Sequence, residues 1–174
     1  MSFYSAEASN LMVVGGGVPV AGGDGPNAWY GVTYSVATGN LNNTTAQVQS
    51  VSVTTGGSAT KLRAYVTEQQ ATPMYIKIAI YNDAGTTLLG SCTTAAITDN
   101  QYNECTLGTP VAVTTGTRYR LGYLSSDSFS GGKGSGNTAY GFYQGSLTYA
   151  AFPPATLSTT DVADEDWCVG VYVD

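Results

Sequence analysis

The strongest constraint on this chain is a period of two. Met74, Ile76, Ile78 and Ile80 alternate with Tyr75, Lys77, Ala79 and Tyr81. Successive side chains of an extended strand point to opposite faces, so the pattern gives one apolar face and one mixed face. Leu62, Ala64 and Val66 alternate with Lys61, Arg63 and Tyr65 in the same way, and Trp167, Val169, Val171 and Val173 share a face near the end of the chain. No stretch sustains a helical period. Strands are predicted near 29–36, 47–54, 59–67, 74–82, 87–93, 102–107, 117–125, 138–144 and 166–173. Turn residues break the pattern at Thr55-Gly56-Gly57, Asn82-Asp83-Ala84-Gly85, Thr114-Thr115-Gly116 and Ser130-Gly131-Gly132. Short strands at this spacing predict an all-β fold, a two-sheet antiparallel jelly-roll sandwich of about eight strands.

At 174 residues the chain fits one domain, and a chain near this size buries roughly 70% of its unfolded surface on folding. Only 10% of residues are charged while 43% are hydrophobic, the reverse of what a disordered chain needs. The sandwich is assigned to residues 29–174. Residues 1–28 read as an extended Gly-rich arm, with Gly15-Gly16-Gly17 and Gly22-Gly23-Asp24-Gly25-Pro26. Such a segment is floppy by itself, so it is expected to be held by its own sandwich or by a neighbouring subunit.

Composition excludes several kinds of chemistry. The chain has no histidine, which removes histidine triads and Cys–His nucleophiles and, with no CxxC pair, argues against zinc. Its carboxylates are scattered, mostly in turns, so no enzyme activity and no organic cofactor is expected. A net charge of −6 with six basic residues argues against nucleic acid and against an anionic membrane surface. No apolar run approaches the ~20 residues of a membrane-spanning helix, and the N-terminus lacks the basic and apolar regions of an export signal. Synthesis without export is therefore expected, the alternative being a secreted protein whose signal was removed. Asn42-Asn43-Thr44-Thr45 holds two overlapping glycosylation sequons, read as coincidence in a polar turn.

Cys92, Cys105 and Cys168 are an odd set. Small buried thiols are the expected state, although Cys92 and Cys105 lie on consecutive predicted strands and a bond is allowed if their Cβ vectors face each other.

Two constellations are candidate sites. Asp161, Asp164, Glu165 and Asp166 crowd six residues before the last strand. Carboxylates at this density are candidate ligands for a structural Ca²⁺, although the spacing is not that of an EF-hand. The alternative is a solvated loop that blunts a strand edge. Aromatic rings form the second set: Tyr140, Tyr143 and Trp29, with Asn137 and Gln144 as polar neighbours. Flat rings stack on sugar faces while amides bond hydroxyls, so these five are candidate glycan contacts. Rings of the same kind also fill cores and subunit interfaces, the expected fate of any single tyrosine here.

One segment carries a resemblance. Within residues 61–125, LRAYVT, YIKIAIYNDAGTTLLGS and NECTLGTPVAVTTGTRYRLGYLSS resemble a carbohydrate-binding-like jelly-roll module found in phage structural proteins and secreted bacterial proteins. The match spans strand-core and turn positions, so it implies a fold and transfers no catalytic motif. Two functions are compatible with it. The first is a non-catalytic virion structural protein, a phage capsid decoration (cement) or tail-associated protein. Such a protein would bind copies of itself or a major capsid protein through its sandwich and its arm. The alternative is a carbohydrate-binding module of a secreted protein, with a surface glycan as its partner.

Overall fold

The computed structural model describes residues 27–32, 37–134, 141–158, 160–162 and 166–174; the side chains of Tyr143 and of 160–162 are not described. The Gly-rich arm up to residue 26 thus lies outside the described residues, as do 33–36 of the first predicted strand. Twelve strands and no helix are found among the described residues: β1 (Ala28–Gly31), β2 (Ala37–Leu41), β3 (Ala46–Val53), β4 (Gly57–Gln69), β5 (Ile76–Asn82), β6 (Leu88–Thr93), β7 (Gln101–Val113), β8 (Thr117–Ser125), β9 (Phe129–Lys133), β10 (Gly141–Gln144), β11 (Thr160–Val162) and β12 (Val169–Val173).

They form two antiparallel sheets, and the protein is a β-sandwich. In sheet A, β2, β9, β4 and β7 are successive neighbours. In sheet B the order is β3, β8, β5, β6. The chain switches sheets at every connection from β2 to β9 except the β5–β6 hairpin. Eight strands wound in this way make a jelly roll.

The other four strands come from a break in the roll. β4 has 13 residues, about 40 Å of strand at ~3.3 Å per residue, and no short neighbour covers that length. Along one side, β9 pairs with Val66–Gln69 and β12 with Ala59–Ala64. Lys133 and Trp167 bridge where the two meet. The edge beyond is likewise divided between β2 and β1. Residues 134–166 therefore leave the middle of one rail and return to the same place, placing the β10–β11 pair beside β3 in the opposite sheet.

The main core fills the space between the sheets. The predicted inward faces are buried: Met74, Ile76, Ile78 and Ile80; Leu62, Ala64 and Val66; Trp167, Val169, Val171 and Val173. Each Val, Leu, Ile or Met side chain so buried contributes about 1.5–3 kcal/mol. Gln49 is buried among them on β3, where its Oε1 accepts a hydrogen bond from the Trp167 backbone N–H at 2.9 Å, fixing the approach to β12.

Four expectations need correction. Alternation assigns Ala79 and Tyr81 to an open face, yet both are fully buried. Residues 145–158 cross the outer face of sheet B as a strap, and Phe152 and Leu157 pack there with Val48, Ala79, Tyr81 and Leu124. Lys77 Nζ donates to the Tyr149 and Phe152 carbonyl oxygens at 2.8 and 2.9 Å, and Tyr81 Oη donates to the Pro154 oxygen at 2.9 Å. Second, Ser130-Gly131-Gly132 is not a turn but lies within β9. A Cβ at Gly131 would come within 2.7 Å of the Leu41 side chain, so the glycine marks close packing rather than a bend. Third, β7 runs on to Val113 through Pro110. It is an edge strand, which tolerates the missing N–H, and residues 107–110 bulge where its register with β4 shifts.

Fourth, Cys92 and Cys105 are bonded, with Cα atoms 5.7 Å apart. β6 and β7 belong to different sheets, so consecutive strands face each other across the core and the bond staples the sandwich at its edge. Cys168 is a buried thiol, as expected.

Candidate binding face

The strap roofs part of sheet B, leaving Tyr75 and Leu89 exposed at its side, and the outer face of sheet A carries a cluster of half-buried aromatic and basic side chains. Along β4 the outward positions are Lys61, Arg63, Tyr65 and Thr67, spaced by the two-residue period. Pairing sets their neighbours. Tyr172 lies opposite Lys61 and Trp29 opposite Tyr172; Gly170 and Glu104 flank Arg63; Tyr102 lies opposite Tyr65.

Two glycines open a bay at the Arg63 rung. Gly31 and Gly170 are cross-strand partners, and a Cβ at Gly170 would lie 3.2 Å from Arg63 Nε. The arginine occupies this bay. Its guanidinium carbon is 4.2 Å from the Trp29 ring centroid and 4.0 Å from that of Tyr102. The rings are themselves braced: Trp29 tilts against Tyr172 at 5.3 Å, Tyr102 meets Tyr65 edge-on at 5.0 Å, and Tyr102 Oη donates to the Val32 oxygen at 3.2 Å. Lys61 Nζ stands 5.6 Å from the Tyr172 ring.

Burial pulls the Arg63 pKa down from its ordinary value, while Tyr102, Glu104 and Cys168 act in the opposite direction. Arg63 Nε is buried without a hydrogen-bond partner. Among the described residues the ion pair within 4 Å is Arg118–Asp83, at 3.4 Å. Among the described residues Lys61 and Arg63 thus sit against aromatic rings with no carboxylate within ion-pair distance, Glu104 acting on Arg63 from farther off.

Farther along β4 the face turns polar. Thr38, Thr67, Glu68, Asp99, Asn100 and Ser130 line an open cleft of about 490 Å³. Its walls are set by local bonds, Thr67 Oγ1 to the Ser130 oxygen at 2.7 Å and the Gln69 N–H to Asp99 Oδ1 at 2.8 Å. The face combines aromatic rings, basic side chains and hydroxyl or carboxylate groups.

The structure does not gather the sequence candidates into one place. Trp29 stands on sheet A, whereas Tyr143 and Gln144 belong to β10 in sheet B. Gln144 Oε1 accepts from the Ser158 N–H at 3.2 Å, tying down the strap. Tyr140 and Asn137 lie outside the described residues, as does the Tyr143 side chain. Of the acidic set, Asp166 is buried, with Oδ1 3.4 Å from Gln49 Nε2. Asp164, Glu165 and the Asp161 side chain lie outside the described residues. No group of three or more His, Cys, Asp or Glu that could hold a metal occurs among the described residues.

Arg63, Tyr65, Tyr102 and Tyr172 were not singled out from sequence. Alternation already placed Lys61, Arg63 and Tyr65 on one face. Their union with Trp29, Tyr102 and Tyr172 depends on cross-strand register, which alternation does not encode.

No protein-family model matches the chain, and no curated protein matches it.

Proposed function

We propose that the chain is a non-catalytic virion structural protein, of the capsid-decoration (cement) or tail-associated kind, that docks on neighbouring subunits through the outer face of sheet A. The observation that carries this reading is the asymmetry of the sandwich. One outer face is partly covered by the chain's own strap, and the other holds Trp29, Arg63, Tyr102 and Tyr172 as a half-buried, braced cluster. Trp, Tyr and Arg are the residues that dominate the energy of protein interfaces. Jelly rolls serve in capsids, and a sheet-to-sheet disulfide suits a protein that persists outside a reducing cytosol. The Gly-rich arm immediately precedes β1, which carries Trp29.

Co-sedimentation with particles from producing cells tests the reading. The full chain is expected to travel with particles and Trp29→Ala with Tyr172→Ala to remain in the supernatant. A full chain that stays monomeric by light scattering and never sediments overturns it.

The polar cleft beside Tyr65 and Tyr102 favours a second reading, a carbohydrate-binding module, because rings beside hydroxyls and carboxylates suit a polyhydroxylated ligand. Retardation in glycan-containing affinity gels, lost in Tyr65→Ala, supports it; unretarded migration in all gels removes it.

A further inference from the structure

Arginine carries five N–H donors in one plane. In Arg63 the guanidinium carbon lies over both the Trp29 and the Tyr102 ring, at 4.2 and 4.0 Å, and stacking of this kind leaves the edge of the plane for hydrogen bonding. The nearest carboxylate by register is Glu104, directly across the strand pair, yet it forms no ion pair with Arg63. The other basic side chains are engaged elsewhere: Lys77 by strap carbonyls, Arg118 by Asp83, Arg120 over the Phe142 ring and Lys133 over the Trp167 ring. A second cation, Lys61, stands two residues from Arg63 on the same face and is likewise held over a ring. The chain as a whole is acidic, at −6, so a cationic spot here is a local exception.

We propose that Arg63, clamped between Trp29 and Tyr102 and supported by Lys61, is a receptor for carboxylates on an acidic segment of a partner protein. A guanidinium matches a carboxylate in plane through two parallel hydrogen bonds. The stacked rings fix the fork before the partner arrives, so little side-chain freedom is lost on binding. They also partly shield the guanidinium from water, which strengthens the charge-assisted bonds. Lys61 meets a second carboxylate one outward position away, about 7 Å along the strand, the reach of acidic residues at alternate positions of an extended peptide. This inference rests on the docking role proposed for the outer face of sheet A and names what that face recognises.

The probe is an oligoglutamate peptide, titrated into the full chain labelled with ¹⁵N. Trp29 fluorescence and the arginine Nε–Hε resonances are the readouts. The expected result is saturable, salt-sensitive binding that moves the Arg63 resonance and leaves Arg118 in place. Affinity should fall about tenfold in Arg63→Lys, which keeps charge but loses the fork, and vanish in Arg63→Gln. If Arg63→Gln unfolds, the resonance shifts of the unsubstituted chain decide the matter. Absence of binding, shifts confined to other arginines, or undiminished binding in Arg63→Gln would overturn the proposal. Tighter binding of an oligogalacturonate of equal charge would also overturn it, by making an acidic glycan the occupant. Particle co-sedimentation separates the two levels. A chain that sediments but ignores the peptide fails this inference alone, and one that does neither fails the docking role as well.

Discussion

A Cβ at Gly170 would approach the Tyr30 carbonyl oxygen at 3.1 Å and Arg63 Nε at 3.2 Å, and one at Gly31 would collide with the Val169 oxygen at a φ of 148°. The two positions therefore differ in what a side chain would disturb. Gly170→Val is expected to push Arg63 from between its rings and cost about 2 kcal/mol. Its signature is a shifted Trp29 emission spectrum alongside a lower urea midpoint. Gly31→Ala meets backbone and strain together and should cost about 3 kcal/mol in the same measurement.

Tyr81 gives a pH prediction. Burial raises its phenol pKa above the ordinary value, so the folded state favours the neutral ring. The stability from this difference is complete below the unfolded tyrosine pKa of about 10 and is lost as pH rises beyond it. The melting temperature should fall above about pH 10, and Tyr81→Phe should flatten that fall. An equally steep alkaline decline in the variant would show that another group is responsible.

Among the elements, the pair β6–β7 and the strap are each held by a few identifiable contacts. The Cys92–Cys105 bond spans a sequence separation of 13, and closing a loop of that size stabilises by roughly 3 kcal/mol in the chain-entropy view. Cys92→Ser with Cys105→Ser should lower unfolding free energy by about 2–3 kcal/mol, and reductant should shift the denaturation curve of the unsubstituted chain but not of the variant. The strap relies on Lys77, whose ammonium gathers carbonyl oxygens of Tyr149 and Phe152. Lys77→Met is expected to speed proteolytic cleavage within 145–158 while the sandwich core resists, as read by mass spectrometry of a limited digest.

The elements also show what alternation encodes and what it does not. β4, β5, β8 and β12 were legible because each lays an apolar row on the core. β2, with the sequence ATGNL, buries only Leu41 fully, and β9, FSGGK, uses glycines for close approach, so neither offers a period to read. The three-residue β11 falls inside a stretch read for its charge.

For the whole molecule, the two-sheet class follows from many short apolar rows with turns between them, and that much was visible in advance. A jelly roll was expected too, but not its strand order, because that depends on which rows pair. The candidate face was half visible: β4 displayed its outward residues in sequence, but Gly31 and Gly170 acquire meaning only once β1 and β12 lie beside it. The roof over sheet B was invisible for a related reason, since alternation describes a strand and not what crosses above it.

The broken rail has a consequence for how much of this molecule is dispensable. Residues 134–166 depart and return through one doorway, at Lys133 and Trp167, so the opening itself could be closed by a short tether. Yet the excursion carries the lid over Val48, Ala79, Tyr81 and Leu124, and trimming it would leave that oily patch in water. A version with 135–165 replaced by a Gly/Ser tether should keep its far-ultraviolet spectrum but bind a hydrophobic dye and aggregate as concentration rises. The eight-stranded roll thus relies on the excursion to cover part of the outer face of sheet B. Shortening one without redesigning the other is expected to expose apolar surface.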